Sequence, residues 1–327
     1  MPPRSANPKR IFMLGATGTI GRATLRALVG RGHDVVCFAR PRSPGGADVD
    51  IGPEFRFGDV TDPRSLANDG FRGETFDVLL SCMASRSGAP ADAWAIDHRA
   101  HVEALAAAKA AGVGHVVLLS AICVQKPRLA FQHAKLAFEQ ALVESGLTYS
   151  IVRPTAFFKS LSGQVERVKN GKPFLVFGDG TLTACKPVSD ADLGEYLADC
   201  VDDPAMHNRI LPIGGPGDAM TPKEQGEMLF GLLGQKPRFK HVPLRLLDMI
   251  IGTLSIAGRV VPAAARKAEL ARIGRYYASE SMALLDPVTG KYDAAATPST
   301  GTDTLAGHYR RLIAGDIAAE RGEHSVF

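Results

Sequence analysis

Gly15, Gly18 and Gly21 are spaced three apart in the run Gly15-Ala-Thr-Gly-Thr-Ile-Gly21. An apolar segment, Arg10–Leu14, precedes the run, and residues 19–31 carry a helical pattern. Glycines there let the backbone approach a pyrophosphate, and the N-terminus of a following helix offers unpaired N–H donors to that anion. The spacing alone is a weak signal, but a strand before it and a helix after it make it a strong one. Thr17, Thr19 and Ile20 are expected beside the same phosphates. The second strand ends in Val-Val-Cys-Phe-Ala-Arg40, with Arg42 close behind. An acidic residue at that strand end would bind the ribose 2′-OH of NAD, whereas a guanidinium pairs with a 2′-phosphate, so NADPH is the expected cofactor.

A second chemical signal is Phe131-Gln-His-Ala-Lys135. In short-chain dehydrogenases this region reads Tyr-x-x-x-Lys, on the helix after the fifth strand. Four-residue spacing puts both ends on one helical face. Lys135 can still bind the nicotinamide ribose hydroxyls, but Phe131 cannot donate a proton. Ser120 ends the fifth strand, and Ala121 and Ile122 follow where a catalytic serine is expected. Carbonyl reduction creates a localised alkoxide that needs a nearby hydroxyl acid. Without one, the fitting redox substrate is one whose charge is delocalised, such as a C=C bond conjugated to a large π-system.

The other polar residues suggest less. Asp59 and Val60, after the third strand, are expected beside the adenine, while Asp62 suits a helix N-cap. Cys82, Met83 and Ala84 follow the fourth strand, and Pro154 and Thr155 follow the sixth, where the chain passes over the nicotinamide. Phe157 and Phe158 are expected to wall the substrate pocket. His98 and His101 are expected to be structural, and His133 lies one residue off the Phe131–Lys135 face. Lys159, Lys186 and Arg275 could pair with a substrate carboxylate. The five cysteines have neither CxxC nor metal-type spacing; Cys37, Cys82 and Cys123 lie inside strand-like apolar runs, which fits buried reduced thiols, and no protein metal site is expected.

The elements that must position these residues alternate in the βαβ manner. Apolar strands are expected at residues 10–14, 34–40, 55–57, 76–82, 115–120 and 149–152, with helices at 19–31, 95–111 and 131–144 between them. Continuous apolar strands separated by helices indicate a doubly wound parallel α/β sheet of the Rossmann type. A short strand and helix at 188–201 and a strand at 210–213 should return to the sheet. Gly178-Asp-Gly180 suits a hairpin-type turn, and helices should dominate after Thr221. The expected division is a dinucleotide-binding domain over 1–156, completed by about 184–215, and a smaller, mostly helical substrate region from 157–183 and 216–327.

At 327 residues, 45% of them hydrophobic and 22% charged, the chain has the composition of a globular protein. A net charge of +4, evenly spread, argues against nucleic acid and suits an anionic ligand. Residues 242–262 are apolar but carry Arg245, Asp248 and Arg259, too interrupted to span a bilayer. An amphipathic helix lining a pocket or resting on a membrane surface fits them.

Longer stretches resemble one family. LLSAICVQKP (118–127), FQHAKLAFE (131–139), YSIVRPTAFFKSLSGQ (149–164), KPFLVFGDGTLTACKPVSD (172–190), LPIGGPG (211–217), ARIGRYYASESM (271–282) and ATPSTGTDTL (296–305) are similar to the divinyl chlorophyllide 8-vinyl reductases. That group consists of atypical short-chain dehydrogenases related to isoflavone-reductase-like and NmrA-like proteins. The resemblance implies reduction by NADPH of the 8-vinyl group of a divinyl chlorophyllide or protochlorophyllide to ethyl, in (bacterio)chlorophyll synthesis. Hydride would reach the terminal vinyl carbon, leaving a carbanion conjugated with the macrocycle. Gln132, Tyr276 and Tyr277 are the candidate proton donors, and Phe131, Phe157, Phe158 and Tyr276 the candidate substrate contacts. The magnesium would belong to the substrate. A cytoplasmic location with loose contact to photosynthetic membranes is the expectation. Two other functions fit the same residues: an NADP-binding redox sensor without turnover, and a reductase of another conjugated aromatic compound.

Overall fold

Alternation along the strands decides how the sheet is covered. In chain order the main strands are β1 (Arg10–Leu14), β2 (Asp34–Ala39), β3 (Glu54–Phe57), β4 (Val78–Ser81), β5 (His115–Leu119), β6 (Thr148–Pro154), β7 (Phe174–Phe177), β8 (Arg209–Ile213) and β9 (Phe239–Val242). The computed structural model describes residues 5–41 and 53–317, so Arg42 lies outside the described residues. Seven strands form one sheet in the order β3-β2-β1-β4-β5-β6-β8, and every neighbouring pair is parallel.

Ile11, Met13, Val35, Cys37, Val78 and Leu80 point into one core, against helices α1 (Thr19–Gly30) and α4 (Asp190–Asp202). Phe12, Leu14, Val36, Phe38 and Leu79 point into the other, against α2 (His101–Ala110) and α3 (Ala130–Val143). With both faces covered, the strands must be apolar throughout, as in all-parallel sheets generally. Each fully buried large side chain contributes roughly 1.5–3 kcal/mol. The strand order reverses between β1 and β4, and the crevice at that switch point is where the loops after both strands meet.

The rest of the chain builds a cap over the carboxyl ends of the strands. It comprises α5 (Pro222–Leu232), α6 (Leu244–Ala257), α7 (Pro262–Tyr277) and α8 (Leu305–Ala314), with β7 and β9 paired separately. Phe158, Val165, Phe174, Leu229, Phe230 and Tyr309 form its core. A smaller cluster of Ile122, Leu129, Ile273, Tyr276 and Met282 ties the turn after β5 to α7.

Four local expectations are corrected. The helix expected over 95–111 is broken: Trp94–Ala100 forms a wide i→i+5 turn before α2 begins. Residues 188–201 contain no strand, only a bridge from Val188 to Phe157, and α4 starts after Ser189, whose Oγ accepts from the Asp192 N–H at 2.9 Å. Gly178-Asp179-Gly180 does not close a hairpin, because β7 leads into it and pairs in parallel with β9. Cys123 lies in the 3-10 turn Ile122–Gln125 rather than in a strand. All five cysteines are free.

Candidate functional site

The glycine loop is shaped by contacts that a side chain would destroy. Gly15 has φ +77°, and a Cβ there would lie 2.6 Å from the backbone of Cys82 and Met83. A Cβ on Gly21 would lie 2.0 Å from the Gly15 carbonyl oxygen. Close packing of the loop after β1 against the loop after β4 therefore requires both glycines. Gly18 is the N-cap of α1 and makes no side-chain cap, and the first turn holds no acidic residue. An anion thus meets open backbone donors and the positive end of the helix dipole without competition. A dinucleotide pyrophosphate fits this cradle.

Arg40 directly follows β2, and Asp59 lies two residues past the end of β3. The Asp59 carboxyl lies below its ordinary range, chiefly through hydrogen bonds from Thr61 and also through the Arg40 charge. Both are surface residues, Val60 is half-buried next to Asp59 in the chain, and none of the three lines the cavity that holds Lys135.

A cavity of about 550 Å³ runs from the α1 N-terminus under the helical cap. Gly18, Thr19, Ile20 and Gly21 line one end, facing Cys82, Met83 and Ala84. Ser120, Lys135, Pro154 and Thr155 line the middle, and Phe131, Phe157 and Phe158 the apolar side. Gly15 and Thr17 belong to the loop itself but do not reach the cavity wall. The volume and the largely apolar lining suit a large flat ligand.

Lys135 Nζ pairs with Asp97 Oδ1 at 3.1 Å, and the Asp97 side chain is completely buried. Burial pushes the Asp97 carboxyl up, but Lys135 and the Ser85 side chain outweigh it and hold the group below the usual carboxylate range, while the Ser85 N–H also donates to Asp97 Oδ1 at 3.3 Å. The wide turn at Trp94–Ala100 carries Asp97 to this wall; such turns often mark functional sites. One turn beyond Lys135 on the same face, Glu139 accepts from the Ser120 hydroxyl and pairs with Arg153. The Ser120 hydroxyl is therefore committed to the protein.

The structure contradicts several residue assignments. Gln132 is fully buried and outside the cavity. Its Oε1 accepts from the N–H groups of Arg128 (2.7 Å) and Leu129 (2.9 Å), and its Nε2 donates to the Cys123 carbonyl at 3.3 Å, so it caps α3 and is no proton donor. Tyr276 is also turned away from the cavity. Its hydroxyl lies 2.9 Å from the Cys123 carbonyl and 3.0 Å from that of Lys126, which removes it as substrate contact and donor. Lys186 donates to the Thr297 carbonyl at 3.0 Å and Arg275 pairs with Asp248 at 2.8 Å, so neither faces the cavity. Lys159 lines it, donating to Thr19 Oγ1 at 3.0 Å beside the glycine loop. His133 is exposed, outside the cavity. His101 bonds Ser81 Oγ and the Ile96 carbonyl, both at 2.8 Å, and burial pushes its pKa down to about 4. No metal-type cluster occurs among the described residues.

Reading the sequence alone missed Asp97 and Glu139, and named Tyr277 only as one of three candidate proton donors; of those three it is the one that lines the cavity. A buried acid in an alanine-rich helix is a faint signal for the first. Glu139 continues the Phe131–Lys135 face and could have been found from that spacing.

The chain matches the NAD(P)H-binding family over residues 15–204. It is 50% identical to the divinyl chlorophyllide a 8-vinyl-reductase, chloroplastic, of Oryza sativa subsp. indica, covering 100% of this chain and 84% of that protein. It is 48% identical to the protein of the same name in Zea mays, covering 98% and 84%. An NADPH-dependent quinone oxidoreductase of Escherichia coli, solved with NADPH, superposes with a TM-score of 0.68 at 19% identity, over 92% of this chain and 99% of that one. That likeness extends to the fold.

Proposed function

The chain belongs to the divinyl chlorophyllide a 8-vinyl-reductase family, and from that premise we propose that its cavity brings NADPH and a divinyl chlorophyllide together. The protein is an NADPH-dependent oxidoreductase of chlorophyll synthesis that reduces the 8-vinyl group to ethyl. In this reading the glycine loop and the α1 N-terminus hold the pyrophosphate, and Arg40 holds the 2′-phosphate. Asp59 and Val60 flank the adenine. Lys135, oriented by its ion pair with Asp97, binds the nicotinamide ribose hydroxyls, among Cys82, Met83, Ala84, Ser120, Pro154 and Thr155. Phe131, Phe157 and Phe158 face the macrocycle. Residues 1–156 with about 184–215 thus serve the cofactor, and 157–183 with 216–327 serve the pigment.

NADPH, when bound, supplies a hydride. The protein positions the vinyl carbon against it and excludes water with apolar walls. One observation carries the reading: Phe131 stands at the tyrosine position, next to Lys135, in an apolar cavity. A carbonyl reductase would lack its acid there, whereas a conjugated vinyl group needs none at that point, because its carbanion is spread over the macrocycle. The test is to mix protein, NADPH and divinyl chlorophyllide and follow the Soret band. A small blue shift is expected, and tight NADPH binding without a shift would overturn the reading.

The pigment is amphiphilic, and the α6–α7 hairpin offers a matching surface. Leu246, Met249, Ile250, Ile256 and Val260 are exposed at helical spacing, among the exposed cations Arg245, Arg259, Arg266 and Lys267. Apolar residues flanked by cations suit the surface of an anionic lipid bilayer, giving loose peripheral contact. No helix among the described residues is long and apolar enough to cross a membrane. Cosedimentation with anionic vesicles, weakened by Met249→Asp with Ile256→Asp, supports this contact; equal recovery of both proteins counts against it.

A further inference from the structure

Phe131 leaves the reaction without the phenol of the usual motif, yet the chain has six tyrosines. Tyr309 donates to the Leu161 carbonyl at 2.7 Å and Tyr292 to Glu280 at 2.9 Å. Tyr276 is held by the carbonyls of Cys123 and Lys126. Tyr149 and Tyr196 pack against the two cores of the sheet. Among the described residues, only Tyr277 lines the cavity. It ends α7, its ring stands edge-on to Tyr276 with centroids 5.6 Å apart, and 37% of it is open. Its hydroxyl lies 3.9 Å from Sγ of Cys123, which lines the same wall in the turn after β5. Desolvation of its hydroxyl raises the Tyr277 phenol well above its ordinary range, and burial raises the Cys123 thiol above its own.

We propose that Tyr277 is the proton donor of the vinyl reduction, a phenol brought from the helical cap to replace the one absent at position 131. The inference rests on the vinyl-reductase reading. As the dihydronicotinamide is oxidised, its hydride forms a C–H bond at the terminal vinyl carbon. The π pair of the vinyl group moves to the carbon attached to the macrocycle. The O–H bond of Tyr277 then breaks and its proton forms the second new C–H bond at that carbon, completing the ethyl group. The phenolate regains a proton from water at the open side of the cavity. A delocalised carbanion persists long enough for a weak acid to suffice, and a positioned acid accelerates such a step by about 10²–10⁴-fold.

Tyr277→Phe removes one oxygen and keeps the ring. Turnover of divinyl chlorophyllide is expected to fall by about 10²–10⁴-fold, with NADPH and pigment titrations unchanged and the solvent deuterium isotope effect of the wild type altered. A variant that turns over like the wild type, with the same isotope effect, would overturn the assignment. A second measurement uses 3-fluorotyrosine at position 277, a stronger acid of nearly the same shape. It should retain the turnover lost in Tyr277→Phe and shift the solvent isotope effect; a variant as slow as Tyr277→Phe also overturns the assignment. The titratable neighbours of Tyr277 are Cys123 and Tyr276. Wild-type protein that binds both ligands but forms no ethyl product would refute the vinyl-reductase reading itself.

Discussion

Asp97→Asn tests how the site is held together, because it removes a charge while keeping nearly the same shape. Lys135 Nζ and Asp97 Oδ1 are 3.1 Å apart, with side-chain exposures of 11% and 0%. At an effective dielectric constant of about 20, two unit charges at that distance attract by roughly 5 kcal/mol. Removing one partner of such a buried pair typically costs about 3–5 kcal/mol, since the other charge is left uncompensated. Asparagine can still accept from Lys135 and from the Ser85 N–H, which puts the expected loss at the low end, about 3 kcal/mol. Urea unfolding without cofactor measures that loss directly, and NADPH titration reports whether Lys135 has left the ribose. Both stability and affinity should drop. If the variant unfolds within about 0.5 kcal/mol of wild type, the range of an ordinary surface change, and binds NADPH equally well, the pair does not organise the site.

Arg40→Ala should weaken NADPH binding by roughly ten- to a hundred-fold, the worth of a charge-assisted hydrogen bond of about 1.5–3 kcal/mol, and leave NADH binding unchanged; parallel titrations read both. Gly21→Ala would place Cβ 2.0 Å from the Gly15 carbonyl oxygen and should destabilise the fold by about 1–3 kcal/mol. Gly18→Ala meets nothing nearer than 3.5 Å and should keep its stability while losing NADPH affinity, and thermal melts with and without NADPH separate the two variants. Burial pushes the His101 pKa down to about 4 from an ordinary 6.5, so between those pH values the unfolded chain binds the proton and the folded one does not. Stability should therefore fall as pH drops from 6.5 towards 4, by roughly 3 kcal/mol from this group. Urea midpoints at pH 7 and 5 check this, and His101→Gln should flatten the slope.

Much of the nucleotide half was legible because its physics is local. A strand buried on both faces must be apolar, and a loop packed against its neighbour must be glycine, so β1, the clamp and α1 follow from composition and spacing. Arg40 and the Phe131–Lys135 face are equally local. Residues brought together from distant segments were not legible. Asp97 reads as one acid in an alanine-rich helix until the wide turn at Trp94–Ala100 swings it onto Lys135. Tyr276 and Tyr277 are adjacent in sequence, and only the packing of α7 on the turn after β5 decides that Tyr276 bonds backbone while Tyr277 faces the cavity. Strand β9, with Lys240 and His241 exposed, lacks the apolar run that marked the strands of the main sheet.

The measurement that tests the central claim most directly follows the hydride itself. NADPH deuterated at the transferable position of its nicotinamide is incubated with the protein and divinyl chlorophyllide, and the recovered pigment is examined by mass spectrometry and NMR. The account predicts an 8-ethyl pigment with the label in the terminal methyl of the new ethyl group and one NADPH consumed per ethyl formed. Pigment recovered with its vinyl group intact and unlabelled, from protein shown to bind NADPH, would contradict it.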